Sequence, residues 1–187
     1  MNCGALLLAA GRSTRMGAHK LLEHWQGKPL VVHAADALLN AGLPLLVVLG
    51  HEASAVRSVL ARRDVSFVQA ADYAKGLAHS LRAGLAAVPD DWDAVLVALG
   101  DMPRIEPELL ARLAAADGVA VPIFDGRRGN PVRWPRAHFP ALMALEGDQG
   151  ARRLLAGQKV TEVIAPSDAV LTDIDTPEAL AALRRHT

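Results

Sequence analysis

The stretch Leu6–Lys20, LLLAAGRSTRMGAHK, decides how the rest of the chain is read. Leu6, Leu7 and Leu8 form an apolar run that stops abruptly at small residues. An uninterrupted run ended by glycine has the pattern of a buried parallel strand reaching the edge of its sheet. Ala9, Ala10 and Gly11 carry almost no side chain, so a ligand can lie against the backbone and accept hydrogen bonds from its N–H groups. Arg12, Arg15 and Lys20 follow before any acidic residue appears. Small backbone beside clustered cations suits a polyphosphate. Ala9, Ala10, Gly11, Arg12, Arg15 and Lys20, with Leu8 at the strand end, are the candidate contacts.

Two familiar phosphate cradles do not fit. A Walker loop has four residues between its glycines and then Lys and Ser or Thr. Here five residues separate Gly11 from Gly17, and Ala18-His19-Lys20 follows. The dinucleotide fingerprint G-x-G-x-x-G is not supplied by Ala9-Ala10-Gly11 either. A solvated surface loop is the ordinary alternative for these cations.

Composition bounds the wider answer. With 51% hydrophobic and 21% charged residues over 187 positions, the chain is globular and sized for one large domain. Lys+Arg 20 against Asp+Glu 20 gives no global field, so neither nucleic acid nor an anionic membrane is an expected partner. No apolar run is long enough to span a bilayer, and the N-terminus shows no signal-peptide pattern. Cys3 alone makes no internal disulfide, so a cytoplasmic location is expected, with Cys3 as a small buried hydrophobe.

Further along, apolar spacing and punctuation predict helices over Pro29–Asn40, Ser54–Arg63, Leu77–Leu85, Glu106–Ala116 and Phe139–Leu145. Strands are expected over Leu43–Leu49, Val65–Gln69, Ala94–Leu99, Val119–Pro122 and Val160–Ile164. This alternation implies α/β architecture: a three-layer, doubly wound, mainly parallel sheet with right-handed crossovers, in a single domain over 1–187. His33 and His51 are read as packing or surface residues rather than as ligands.

Four places outside the opening loop carry chemistry. Ala94–Leu99 ends at Gly100-Asp101-Met102-Pro103, which puts a carboxylate where open α/β sheets bind ligands. A carboxylate beside a triphosphate needs a cation between them, and Mg²⁺ is the natural hard, oxygen-seeking bridge. Capping of the helix near Glu106 is the competing role for Asp101. Gly76, His79 and Ser80 stand at a helix start, where N–H groups read a base edge or anion, or simply form a cap. Asp125–Trp134 is a Gly-rich basic turn running into a strand, in which Arg127 and Arg128 either meet an anion or are solvated. Asp173 and Asp175 alternate in Leu171–Glu178, so in extended chain they share one face.

The segment A-A-G-x-x-x-R-M-G-x-x-K resembles the opening signature of the MobA-like nucleotidyltransferases, especially the molybdenum cofactor cytidylyltransferases. Gly100-Asp101-Met102-Pro103 is similar to the family's G-D-x-P, and Gly76-x-x-x-Ser80-Leu81-x-x-Gly84 to its base- and ribose-contacting loop. Gly129-Asn130-Pro131, and Gly147-Asp148-x-Gly150-Ala151-Arg152, resemble its acceptor-facing segments. Asp148 has a further reading as the cap of a helix over Gln149–Leu155. The resemblance implies a Rossmann-like fold whose N-terminal part binds nucleotide and whose C-terminal part binds acceptor. It implies Arg15, Lys20 and Asp101 as catalytic residues. Asp101 and Asp175 would be the Mg²⁺ ligands, with Asp173 an outer partner. Gly129, Asn130, Pro131, Asp148 and Gly150 would meet the acceptor. The implied reaction moves CMP from CTP to a phosphorylated pterin, with a molybdoenzyme or its chaperone as partner. Use of GTP or of a sugar or polyol phosphate by the same fold, and a non-catalytic carrier, are the alternatives. The pair Ala10-Gly11 leans toward cytidine, because guanylyl-transferring relatives tend to have Gly-Gly there.

Overall fold

A computed structural model describes residues 2–11 and 19–185. Arg12 and Arg15 therefore lie outside the described residues. The strands are β1 (Cys3–Ala9), β2 (His24–Trp25), β3 (Lys28–Pro29), β4 (Leu45–Leu49), β5 (Val65–Gln69), β6 (Ala94–Leu99), β7 (Val119–Phe124), β8 (Arg127–Arg128), β9 (Val132–Pro135) and β10 (Val160–Ile164). The helices are α1 (Leu30–Asn40), α2 (Ala53–Leu60), α3 (Leu77–Ala86), α4 (Pro107–Ala115), α5 (Phe139–Met143) and α6 (Pro177–Arg185).

The main sheet has the order β10-β7-β9-β6-β1-β4-β5, with β8 hydrogen-bonded to β7. Every neighbouring pair on this path is parallel except the two made by β9, so the expected mainly parallel, three-layer sheet is present. β1 explains why both faces are covered. All seven of its residues are buried, and alternate ones point to opposite layers. Ala5, Leu7 and Ala9 pack with Val31, Ala35 and Leu38 of α1, Val56 of α2 and Leu110 of α4. Leu6 and Leu8 pack with Leu81 and Leu85 of α3 and with Phe139 and Leu142 of α5. A small third cluster joins Leu30, Ile174, Leu180 and Leu183, which docks α6 beside the start of α1.

Several boundaries differ from expectation for identifiable reasons. β4 begins at Leu45 rather than Leu43 because Pro44 has no N–H to pair, though its carbonyl accepts from Ala5 N at 2.8 Å. The β2–β3 hairpin was not legible. Its turn residues Gln26 (φ 47°) and Gly27 (φ 77°) are both left-handed, as a two-residue hairpin of primed type requires. Residues Ala151–Leu155 form a 3₁₀ turn rather than an α-helix, and Gly150 precedes it with no side-chain cap, which removes the capping role suggested for Asp148. α2 ends at Leu60, leaving Arg63 to bond Asp36 on α1 through Nε at 2.5 Å. Cys3 is buried as expected, and His33 is satisfied by the Trp25 carbonyl at 2.7 Å. Among the described residues no helix is long and apolar enough to cross a membrane.

α3 lies close against the sheet because Gly84 has no side chain. A Cβ there would stand 2.7 Å from Val48 Cγ2 and 2.8 Å from Leu6 Cδ1. Replacing a helical glycine by alanine ordinarily stabilises by about 0.5–1 kcal/mol. Overpacking a buried contact costs about 1–3 kcal/mol, and Leu6 and Val48 are both fully enclosed. Gly84→Ala should therefore lower stability in urea denaturation, reversing the sign expected from helix propensity alone.

Candidate active site

β1 and β6 run side by side in register, Leu8 opposite Leu99, and Gly100 N bonds Leu8 O at 3.1 Å. From β1 the chain winds outward to β4 and β5, then returns to β6 on the other side of β1. Such a reversal opens a crevice at the carboxyl ends of the two central strands. A cavity of about 330 Å³ lies there, lined by Leu8, Ala10, Gly11, Lys20, Gly76, Ser80, Gly100, Asp101 and Asp148 among others.

The charged end of this crevice is assembled from three distant parts of the chain. Lys20 opens a short 3₁₀ turn after the loop, and its Nζ donates to Asp101 Oδ2 at 2.6 Å and to Asp175 Oδ1. Ile174 N bonds the Asp101 carbonyl at 3.0 Å, and the Ile174 side chain is buried, so the C-terminal segment is pinned beside β6. Thr176 Oγ1 accepts from Ala179 N and caps α6, which leaves Asp173 and Asp175 free of that task. Asp101 does not cap α4, which starts at Glu106-Pro107 without a side-chain cap. One carboxylate oxygen from each of Asp101, Asp173 and Asp175 lies within 4.8 Å of the others.

Electrostatics sharpen this picture. Burial pulls the Lys20 ammonium toward neutrality, but Asp101 and Asp175 outweigh it and hold its pKa above the usual value. Burial pushes the Asp101 carboxyl up; Lys20 opposes this, and Asp173 and Asp175 push the same way as burial. Oδ1 of Asp101 is buried with no hydrogen-bond partner among the described residues. Among the described residues, three carboxylates against one ammonium leave a surplus of two negative charges. Together with an orphaned hard oxygen, this fits a divalent oxygen-seeking cation held by Asp101, Asp175 and Asp173.

Two further spaces adjoin the crevice. A groove of about 370 Å³ is lined by Met102, Arg127, Arg128, Asn130, Arg152, Val170, Leu171 and Asp173. A smaller one of about 100 Å³ shares Leu8, Leu77 and Leu99 with the crevice and Asn130 and Arg152 with the groove. Gly129 is packed onto Val170, whose oxygen would stand 2.3 Å from a Cβ at that position, and Asn130 N bonds the same oxygen at 2.8 Å.

Of the residues singled out from sequence, Leu8, Ala10, Gly11, Lys20, Gly76, Ser80 and Asp101 line one cavity together. Ala9 is wholly enclosed in β1, and His79 is half-buried outside the cavity lining. Asn130 lines the groove and Gly150 the small space, while Pro131 is buried behind them. Asp148, expected on the acceptor side, lines the same cavity as Gly76 and Ser80. Sequence reading passed over Tyr73, which lines the cavity and lies 6.3 Å, ring to ring, from His51. His51 in turn stacks on His19 at 5.4 Å, and the His51 carbonyl accepts from His19 Nε2 at 3.1 Å.

Residues 5–163 match the model of the MobA-like NTP transferase domain, and the chain belongs to that family. It is 31% identical over 194 residues to the purine catabolism protein PucB of Bacillus subtilis, covering 96% of this chain and 95% of that one. It is 35% identical over 142 residues to the bifunctional protein GlmU of Sinorhizobium fredii. That match takes in 72% of this chain but only 31% of GlmU, so the chain corresponds to about a third of that relative's length. Among solved structures, Rv0371C of Mycobacterium tuberculosis, in complex with manganese, superposes with a TM-score of 0.86 at 28% identity, covering 100% of both chains.

The raised pKa of Asp101 has a consequence for stability. Its folded value lies above the unfolded one, so ionisation opposes folding and the penalty grows as pH rises through that interval. Asp101→Asn removes that penalty together with the Lys20 ion pair, two effects of opposite sign, so the metal-free melting temperature at neutral pH should move little, while divalent ions no longer raise it. A large drop in the metal-free protein would show that the carboxylate is there for the fold.

Proposed function

We propose that this chain is a Mg²⁺-dependent nucleotidyltransferase that moves CMP from CTP to a phosphorylated acceptor and releases pyrophosphate. The acceptor that best fits the family pattern is a pterin phosphate of the molybdenum cofactor type, giving its cytosine dinucleotide form. The observation that carries this reading is Lys20 held between Asp101 and Asp175 beside the small-residue end of β1. A binding protein has no need of a buried ammonium and three converging carboxylates. The manganese complex of Rv0371C supports a divalent ion, and the match to the NTP transferase domain supports a nucleoside triphosphate.

In this reading the triphosphate lies over Ala10 and Gly11, where backbone N–H groups receive it together with the cations that follow in sequence. The Lys20 ammonium turns from the carboxylates to the phosphates and stabilises the charge that gathers on the departing pyrophosphate. Asp101 and Asp175, with Asp173 beside them, would hold the magnesium ion, which would supply positive charge against the phosphates. The acceptor lies in the arginine-lined groove, its phosphate oxygen facing the α-phosphorus. Attack forms the new P–O bond as the α–β bridging oxygen leaves with the pyrophosphate. No protein base is required, because a phosphate monoester is already ionised at neutral pH. Catalysis is then alignment of two anions and neutralisation of moving charge. The chain divides its labour accordingly: the N-terminal part takes nucleotide and the C-terminal part takes acceptor.

The deciding experiment offers each of the four ribonucleoside triphosphates with Mg²⁺ to a panel of phosphorylated pterin, sugar and polyol acceptors, with pyrophosphate release as readout. CTP with the pterin should stand out. A preference for GTP or for a sugar phosphate would reassign the substrates, and binding without turnover would make the protein a carrier. Lys20→Ala should lower the rate by about 10²-fold or more, the scale for losing a preorganised charge donor. An effect on melting temperature alone would detach Lys20 from the chemistry.

A further inference from the structure

The segment that carries Asp148 is built into the wall of the crevice. Gly147 O accepts from Ala78 N at 3.0 Å, which ties the segment to the first turn of α3. Arg82, one turn further along α3, donates from Nε to Met143 O and from Nη2 to Leu145 O, each at 2.9 Å. Gly76 makes this approach feasible. Its φ is 120°, and a Cβ there would stand 2.4 Å from both the carbon and the oxygen of the Gly147 carbonyl and 2.8 Å from Asp148 Oδ1. The Asp148 carboxylate is thus delivered into the cavity by a clamped backbone. It is exposed, and it makes no hydrogen bond to the protein among the described residues.

Its chemistry limits what it can meet. A carboxylate is an acceptor with no donor, and it repels phosphate. In the nucleotide reading the phosphates belong at Lys20 and at a cation held by Asp101, and Tyr73, which also lines the cavity, is the aromatic residue available to a base. The donors that every ribonucleotide presents, whatever its base, are the ribose 2′- and 3′-hydroxyls. The same pairing of a carboxylate with a ribose diol recurs in other α/β nucleotide sites.

The geometry points to Asp148 as the residue that reads the ribose hydroxyls of the bound nucleotide and so sets the preference for ribo- over deoxyribonucleotides. This rests on the reading that the crevice takes a nucleoside triphosphate. It gives the Gly147–Arg152 motif two faces: Asp148 on the nucleotide, Arg152 on the groove.

The test is calorimetric binding, in Mg²⁺ and without acceptor, of the four ribonucleoside triphosphates and of the 2′-deoxy and 3′-deoxy forms of CTP and GTP. The wild-type protein should bind its preferred ribonucleotide roughly 10-fold or more tightly than the 2′-deoxy form, the scale of a charge-assisted hydrogen bond. Asp148→Ala should bring that ratio below about 2-fold and Asp148→Asn to a value between the two, with unchanged thermal melts, since the amide keeps an acceptor but loses the charge. A ratio preserved in both variants overturns the assignment. So does a change in base preference at a fixed sugar ratio, which would make Asp148 a base reader. If no ribonucleotide binds the wild-type protein, the nucleotide reading itself fails, a result distinct from either.

Discussion

Three carboxylates and one ammonium meet at the carboxyl ends of β1 and β6, and the architecture around them keeps them there at a cost. At an effective dielectric of about 20, two like charges 4–5 Å apart repel by about 3–4 kcal/mol. Solvent screens part of this at Asp173, which is exposed, and much less at Asp101, whose side chain is 13% exposed. Lys20 offsets the repulsion for Asp101 and Asp175 together. The backbone bond from Ile174 N to Asp101 O, with Ile174 locked among Leu30, Leu180 and Leu183, prevents the C-terminal segment from relaxing away. Rigid packing thus holds charge in a place that charge alone would vacate.

The sheet provides that rigidity. β1 is buried on both faces and fixed by ladders to β4 and β6, so the chain leaves it at a defined point. Small residues at Ala10, which is buried, and Gly11, which is exposed, then keep that end of the crevice clear of long side chains. Arg133 on β9 shows the same economy in the core. It is fully enclosed, and its guanidinium donates to Ala114 O in the last turn of α4, where helix carbonyls lack partners, and to Gly118 O just before β7.

Much of this was legible because the decisive features are local in sequence. An apolar run halted by small residues marks β1 and its loop, and Ala94–Leu99 followed by Gly100-Asp101 marks β6 and its carboxylate. Asp173 and Asp175 were legible through their alternation ahead of Thr176-Pro177. What escaped were relations set only by tertiary packing. Nothing near Tyr73 signals that it will line the cavity. Asp148 sits in a motif read as acceptor-facing, and only the clamp by Ala78 and Arg82 turns it toward Gly76. The antiparallel direction of β9 was hidden as well. Val132–Pro135 contains an arginine that reads as surface until the end of α4 is seen to receive it.

The reversed direction of β9 has an architectural consequence. Its first residue, Val132, pairs with Val97 near the end of β6, so this strand reaches the ligand-bearing rim with its beginning. The rim therefore receives two kinds of chain: departures from parallel strands, which lead into crossover helices, and one arrival from the β7–β8 hairpin. The arriving segment is anchored on its way in, with Gly129 against Val170 and Asn130 N on the Val170 oxygen at 2.8 Å. The rim is thus closed on one side by crossover connections and on the other by a hairpin held against the C-terminal segment.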